Sequence, residues 1–137
     1  MNSSLHARLA DPGLLRQLEI RATGAPGSAL VSHTLNLGPD IHNWLANLPA
    51  NGPYWYRAQP ASDEFRLGLG HALHVCSDGP QRFAALANAY AGLTHDWRHS
   101  GQALAFAGFS FAPQSGNNDL PAALLAVPAI LLESIDG

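Results

Sequence analysis

The uncharged run Ala103–Pro113, ALAFAGFSFAP, limits what this chain can fold into more than any other stretch. Leu104, Phe106, Phe109 and Phe111 alternate with Ala105, Ala107 and Gly108, so odd and even positions are both apolar. A segment apolar on both parities reads as a strand covered on two faces, not one face wet and one dry. The small residues let neighbouring backbone approach, and the phenylalanines fill the remaining space. Phe65–Cys76 is the second strong strand signal and the expected partner. Phe65, Leu67, Leu69, Leu73 and Val75 share one parity with His71; Arg66, Gly68, Gly70, Ala72, His74 and Cys76 share the other.

Helical signals surround these strands. Asp11-Pro12 reads as an N-cap followed by proline at the first helical position, with Leu14, Leu15 and Leu18 behind it and Gly24 as the stop. Pro39-Asp40 opens a short helix through Ile41, Trp44, Leu45 and Leu48, ended by Pro49. Asp78-Gly79-Pro80 starts a third, whose apolar stripe is Phe83, Leu86, Tyr90 and Leu93. Ser28–Leu37 and the aromatic Pro53–Arg57 read as strands, Gln59–Asp63 and Gln114–Asp119 as turns, and Thr94–Gln102 as a polar connector. Leu120–Glu133 reads as one or two strands, which Pro121 and Pro128 restrict to sheet edges or breaks. The expected fold is α+β: a mainly antiparallel sheet with helices on one face, part of a larger helix-flanked β sandwich. The expected core joins Phe106, Phe109, Phe111, Leu67, Leu69, Leu73, Phe83, Leu86 and Tyr90, with the helix from Pro80 lying across the sheet.

Composition excludes several functions. With 137 residues and 47% hydrophobic content, the chain is long enough for one domain, residues 1–137, with a real core. Only 12% of residues are charged and the net charge is -3, which argues against nucleic-acid partners and against anionic membranes. Every basic residue is Arg, so no lysine base, Schiff-base lysine or P-loop lysine exists here. The single cysteine, Cys76, cannot form an internal disulfide, which fits a reducing cytoplasmic setting. The N-terminal MNSSLHARLADPG lacks the apolar segment of a signal peptide, and Leu120–Leu132 is shorter than the ~20 residues a membrane helix needs. The final ILLESIDG leaves the last strand without a following element, so the sequence leads one to expect a portion of something longer or a unit whose final strand is completed by another element.

No residue pattern completes a catalytic, cofactor or metal site, and none is assigned. His71 and His74 point to opposite faces of a regular strand, so they share an ion only if a bulge intervenes. His95 and His99 lack a zincin glutamate and a third ligand. Gly68 and Gly70 of LGLGH lack the third glycine of a dinucleotide fingerprint, so close strand packing is the reading. Tyr54, Trp55 and Tyr56 read as core, and Cys76 as a small buried residue with no cation beside it. The carboxylates are scattered.

An ordered set of motifs nevertheless resembles a known family. Asn43-Trp44-Leu45, Tyr54-Trp55-Tyr56, Leu67-Gly68-Leu69-Gly70, Gly79-Pro80-Gln81-Arg82-Phe83 and Ala105–Phe111 follow one another, and the series closes with Leu120–Leu132 around Pro128. Over about residues 40–133 the chain resembles the N-terminal portion of isochorismate synthases, with their aromatic "fyW" strand, "GiG" strand, "GpdRF" helix start and "FGGFaFdp" strand. Ala107 stands where many members have glycine. The resemblance implies a chorismate-to-isochorismate isomerase of menaquinone or siderophore biosynthesis, using Mg²⁺. It also implies that the base lysine, acid glutamate, substrate arginine and metal carboxylates lie in a C-terminal catalytic portion, none of them on a position here. The segment alone is then expected to be inactive, with chorismate a ligand of the complete enzyme only. Its expected partners are the catalytic portion or a second copy of itself. Two alternatives stand beside this: a non-enzymatic α+β binding or dimerisation module, and the N-terminal part of an anthranilate or aminodeoxychorismate synthase-like enzyme, whose LLES strand Leu131–Ser134 resembles.

Overall fold

The structure is a computed structural model that describes residues 7–38, 52–114 and 121–135. The expected helix from Pro39 to Leu48 lies outside the described residues, as does most of the turn after Gln114. Within them the chain is mixed helix and strand, with antiparallel sheets, in two compact units: 1–50 with 93–103, and 51–92 with 104–137.

In the first unit, helix α1 (Pro12–Ala22) begins as the sequence dictates. The Asp11 carboxylate accepts a hydrogen bond from Gly13 N at 3.0 Å, and Pro12 needs no N–H partner in the first turn. Gly24, at φ +72°, leaves the helix. The carbonyls freed at this end are met by Arg98, whose Nη1 donates to Thr23 O at 2.8 Å and whose Nη2 donates to Gly24 O at 3.2 Å. The expected strand over Ser28–Leu37 is shorter than its pattern. Only β1 (Val31–Ser32) is laddered, in parallel with β5 (Arg98–His99). Beyond it a side chain takes over: Ser100 Oγ accepts from Thr34 N at 2.9 Å, and Thr34 Oγ1 donates to Ser100 O at 2.6 Å. Trp97 is buried here and donates from Nε1 to Ser32 Oγ at 3.0 Å.

The second unit holds two three-stranded antiparallel sheets. One has the order β2-β3-β8, from β2 (Tyr54–Gln59), β3 (Glu64–Leu69) and β8 (Ile130–Ser134); the other has the order β4-β7-β6, from β4 (Leu73–Ser77), β7 (Ala123–Val127) and β6 (Phe106–Phe109). The two share a pair of strands. β3 runs on into β4, β7 runs on into β8, and the two lengths pair antiparallel along both sheets. At the junction Gly70, His71 and Ala72 face only Pro128 and Ala129. One side thus carries one extra residue, a bulge that bends the ribbon from the first sheet to the second. Gly70 supplies a φ of +64° there, Ala72 N donates to Val127 O at 2.8 Å, and Ala129 N donates to Leu69 O at 3.1 Å.

This order corrects three expectations. The strand from Phe65 to Cys76 is two strands, and its partner is Ala123–Ser134, not Ala103–Pro113. The segment with the two prolines is two strands, and Pro128 falls in the break between them: β8 holds an edge of its sheet, while β7 lies in the middle of the other, where Ala122, Ala123 and Ala126 are fully buried. Pro121 and Pro128 fall just outside β7, so their missing N–H groups interrupt no ladder. The phenylalanine run, expected to be covered on both faces, holds a sheet edge as β6. Phe109 is 47% exposed and Phe111 fully exposed; only Phe106 turns toward the other sheet.

The buried apolar residues are Phe65 and Leu67 from β3, Leu125 and Val127 from β7, Leu132 from β8 and Leu86, with the alanines between. Leu86 belongs to helix α2 (Arg82–Asp96), which runs past the expected stop at Leu93. Phe83 and Tyr90, expected in the core, are exposed. The helix buries Arg82 and Leu86 and half-buries Ala89, a stripe rotated away from the aromatic one.

This core makes a sharp contrast. Leu132→Ala should lower stability by about 2–5 kcal/mol, while Phe111→Ala should change it by less than about 0.5 kcal/mol. Urea denaturation of the two variants checks it; equal losses would put Phe111 in the core after all.

Candidate functional site

Among the described residues Arg82 is the one buried cation of the second unit, and no carboxylate among them meets it. It is 6% exposed, at the first position of α2. Its Nη1 donates to Gly79 O at 3.2 Å, and Nη2 donates to Ser110 O at 3.2 Å and Phe111 O at 3.5 Å. The guanidinium carbon lies 4.3 Å from the Phe83 ring centroid. Nε has no hydrogen-bond partner. The sequence explains the arrangement locally. Gly79, at φ +89°, turns the chain into the helix, and its N–H donates to Pro113 O. The Asp78 carboxylate accepts from Ala122 N at 3.2 Å, and Ser110 N donates to Ala122 O at 2.8 Å. Residues 78–82, 110–113 and 122 therefore form one knot of backbone carbonyls closed by a cation. Chemically it holds a turn; it offers no base and no nucleophile.

The second cluster sits on the bulge. Trp55 of β2 stacks on Phe106 of β6 with centroids 5.5 Å apart. Its Nε1 donates to His71 Nε2 at 3.1 Å, which requires that nitrogen to be unprotonated. Gly68 lies opposite Trp55, and a Cβ there would come 2.9 Å from Phe106 Cε2 and 3.0 Å from Pro128 Cβ. The close-packing reading of LGLG holds at Gly68, while Gly70 serves the bend. The bulge also brings the His71 and His74 rings to 5.3 Å, which a regular strand would forbid. No third ligand joins them: among the described residues no three His, Cys, Asp or Glu side chains group to hold a metal ion. Cys76 is exposed rather than buried, and Tyr54 and Tyr56 are exposed rather than core. His95 Nε2 lies 4.0 Å from Asp96 Oδ1, and His99 Nδ1 lies 2.7 Å from Gly101 O.

The third cluster is a row across the first sheet. Arg57, Arg66 and Glu133 lie opposite one another on β2, β3 and β8. Glu133 takes Arg66, at 2.5 Å, and Arg57 has no ion-pair partner among the described residues. An open dent of about 80 Å³ is lined by Arg57 and Arg66 together with Gln59, Glu64 and Ser134. That is far below the ~300 Å³ of an ordinary small-molecule pocket.

No protein-family model, no curated protein and no solved structure matches the chain. No helix among the described residues is long and apolar enough to cross a membrane.

Arg82 stands in the GPQRF motif, but its burial is not legible there. The available signal was position: it is the only Arg in an otherwise lysine- and arginine-free helix. Because its partners are carbonyls, Arg82→Met should cost about 1.5–3 kcal/mol and stay nearly the same at high salt. Arg66→Met removes a partly exposed ion pair, so its cost should be below about 1 kcal/mol and shrink with salt. Urea denaturation at two ionic strengths separates the cases; a strong salt dependence for Arg82→Met would point to a carboxylate partner instead.

Proposed function

We propose that this chain is the N-terminal, non-catalytic portion of an isochorismate synthase, the enzyme that converts chorismate to isochorismate for menaquinone or siderophore synthesis. One observation carries the reading beyond the order of the motifs. Arg82 of the GPQRF segment donates to Ser110 and Phe111 of the AFAGFSF segment, so two of the quoted motifs form one packing unit. A cation closing a carbonyl knot is a reason for two distant segments to keep their residues together.

On this reading the two sheets contribute to a larger helix-flanked β sandwich, and the reacting groups come from the catalytic portion. General acid–base chemistry needs both partners within reach of the substrate. This chain has no lysine, and its described residues hold no cluster of acidic ligands for Mg²⁺. Mg²⁺ and chorismate then belong to the complete enzyme, in the cytoplasm. One feature favours the second reading, a binding or dimerisation module: Phe83, Phe109 and Phe111 are exposed together.

The purified chain should form no isochorismate from chorismate and Mg²⁺. In the complete enzyme, Arg82→Met should lower the melting temperature while leaving KM for chorismate unchanged. Isochorismate formation by the chain alone overturns the division of labour. A reading frame that supplies no catalytic portion, in this gene or an adjacent one, gives the module reading the place.

A further inference from the structure

The bend between the two sheets of the second unit is fastened by a side chain whose charge depends on pH. Trp55 spans the bend. Its ring stacks on Phe106 of β6 with centroids 5.5 Å apart, and its Nε1 donates to His71 Nε2 at 3.1 Å. One indole thus joins β2 of the first sheet, β6 of the second and the bulge between them. The hydrogen bond requires a lone pair on His71 Nε2, so the ring is neutral with its proton on Nδ1. An imidazolium carries N–H on both nitrogens, and the indole N–H would then face another donor. The same bond removes the two histidines as a metal clip, because the lone pair of His71 is already used.

The surroundings of His71 offer no compensation for a positive charge. Its neighbour along the chain, His74, has its ring 5.3 Å away and opposes a second charge when it carries one itself. Arg57, two residues beyond Trp55 and on the same side of β2, is another cation. Pro128 and Ala129 stand opposite the bulge, and Phe106 of β6 lies against the indole; none of the three titrates. Among the described residues no Asp or Glu pairs with either imidazole.

We propose that His71 is a proton-operated latch: its protonation releases Trp55 and loosens the bend between the two sheets. The latched form binds one proton fewer than the released form, so falling pH favours release and rising pH favours the latch. The bulge gives the movement a place to occur. Gly70, at φ +64°, sits in the unladdered stretch between β3 and β4, while the ladders on either side are regular. Once Trp55 leaves, the two imidazole rings are free to separate, which relieves their repulsion. The latch is independent of the isochorismate synthase reading, since either kind of protein can carry it.

Nuclear magnetic resonance of the whole chain, with Trp55→Phe to assign the indole signal, tests it from about pH 8 to about pH 5, the range in which histidines change charge. The protection of Trp55 Nε1–H against solvent exchange, corrected for the intrinsic pH dependence of exchange, should fall at least about tenfold toward the acid end. The amides of Ala72 and Ala129, which bond across the bulge, should lose protection with it. The indole of Trp97, whose acceptor is the Ser32 hydroxyl, and the amides inside the β3–β8 ladder should keep theirs, which separates release from global unfolding. His71→Gln supplies an amide oxygen that accepts without titrating, so it should hold Trp55 protected throughout. His74→Gln should move the midpoint to higher pH by removing the opposing charge. Should His71→Gln not fold, the wild-type chain still decides, because the His71 ring carbons must titrate with the midpoint of the Trp55 change. Equal protection at both ends of the range overturns the proposal, as does a loss that persists in a folded His71→Gln. A midpoint that His74→Gln leaves in place, or a His71 titration that does not match Trp55, also overturns it.

Discussion

The antiparallel pairing of β3–β4 with β7–β8 is the constraint on which the second unit depends. Each of its sheets is that ribbon plus one strand, β2 on one side of the bend and β6 on the other. The ribbon also supplies most of the burial. Alternate residues of β3 turn Phe65 and Leu67 inward, and β7 contributes alanines whose size admits neighbours on both sides. The bend is paid for by one extra residue, and His71 is brought within reach of Trp55 by that bend. A regular ladder through residues 70–72 would leave the indole N–H without this acceptor and the two sheets without their corner.

Polar groups do the fastening at the ends of elements. Arg98 meets carbonyls at the end of α1, and Arg82 meets carbonyls at the turn after β6. In both cases a planar fork of donors satisfies backbone acceptors from a distant part of the chain. This gives the arginines a structural use that lysine would serve poorly, since an ammonium on a flexible stem lacks the fixed fork.

Much of the local structure was legible in the sequence. Asp11-Pro12 and Gly24 bounded α1 correctly, and the alternation from Phe65 placed β3 on the right face. The helix after Pro80 is legible, and so is the burial of Leu86 in its apolar stripe, but Phe83 and Tyr90 of that stripe face outward. Burial instead follows Arg82 and Leu86, because a cation with three carbonyl acceptors can go inside while Phe83 stays out. The break at Gly70–Ala72 was not legible, since a bulge is fixed by the length of the opposing strand, and that strand lies some sixty residues away. The same non-locality hid the strand order. The prolines were informative about breaks, since Pro121 and Pro128 bracket β7 without entering it, but not about which strand of the two would lie in the middle of a sheet. Of the candidate site, the motifs could be read but the contact between Arg82 and Ser110 could not, because no sequence pattern encodes which carbonyl a distant guanidinium will find.

The two compact units are interleaved along the chain, each built from two separate segments. β1 waits for β5, and β3 for β8, before either can pair. During synthesis, then, β3 emerges long before its second neighbour exists, and one of its edges must stay unpaired while β2 alone holds the other. Pairings so far apart in sequence carry a loop-closure cost before any contact repays it, which slows folding and lengthens the exposure of nascent strand edges. A stop before residue 123 is therefore severe: it removes the central strand of one sheet and, with β8, a neighbour of β3 in the other, leaving the helix and its arginine in place over a core that cannot close.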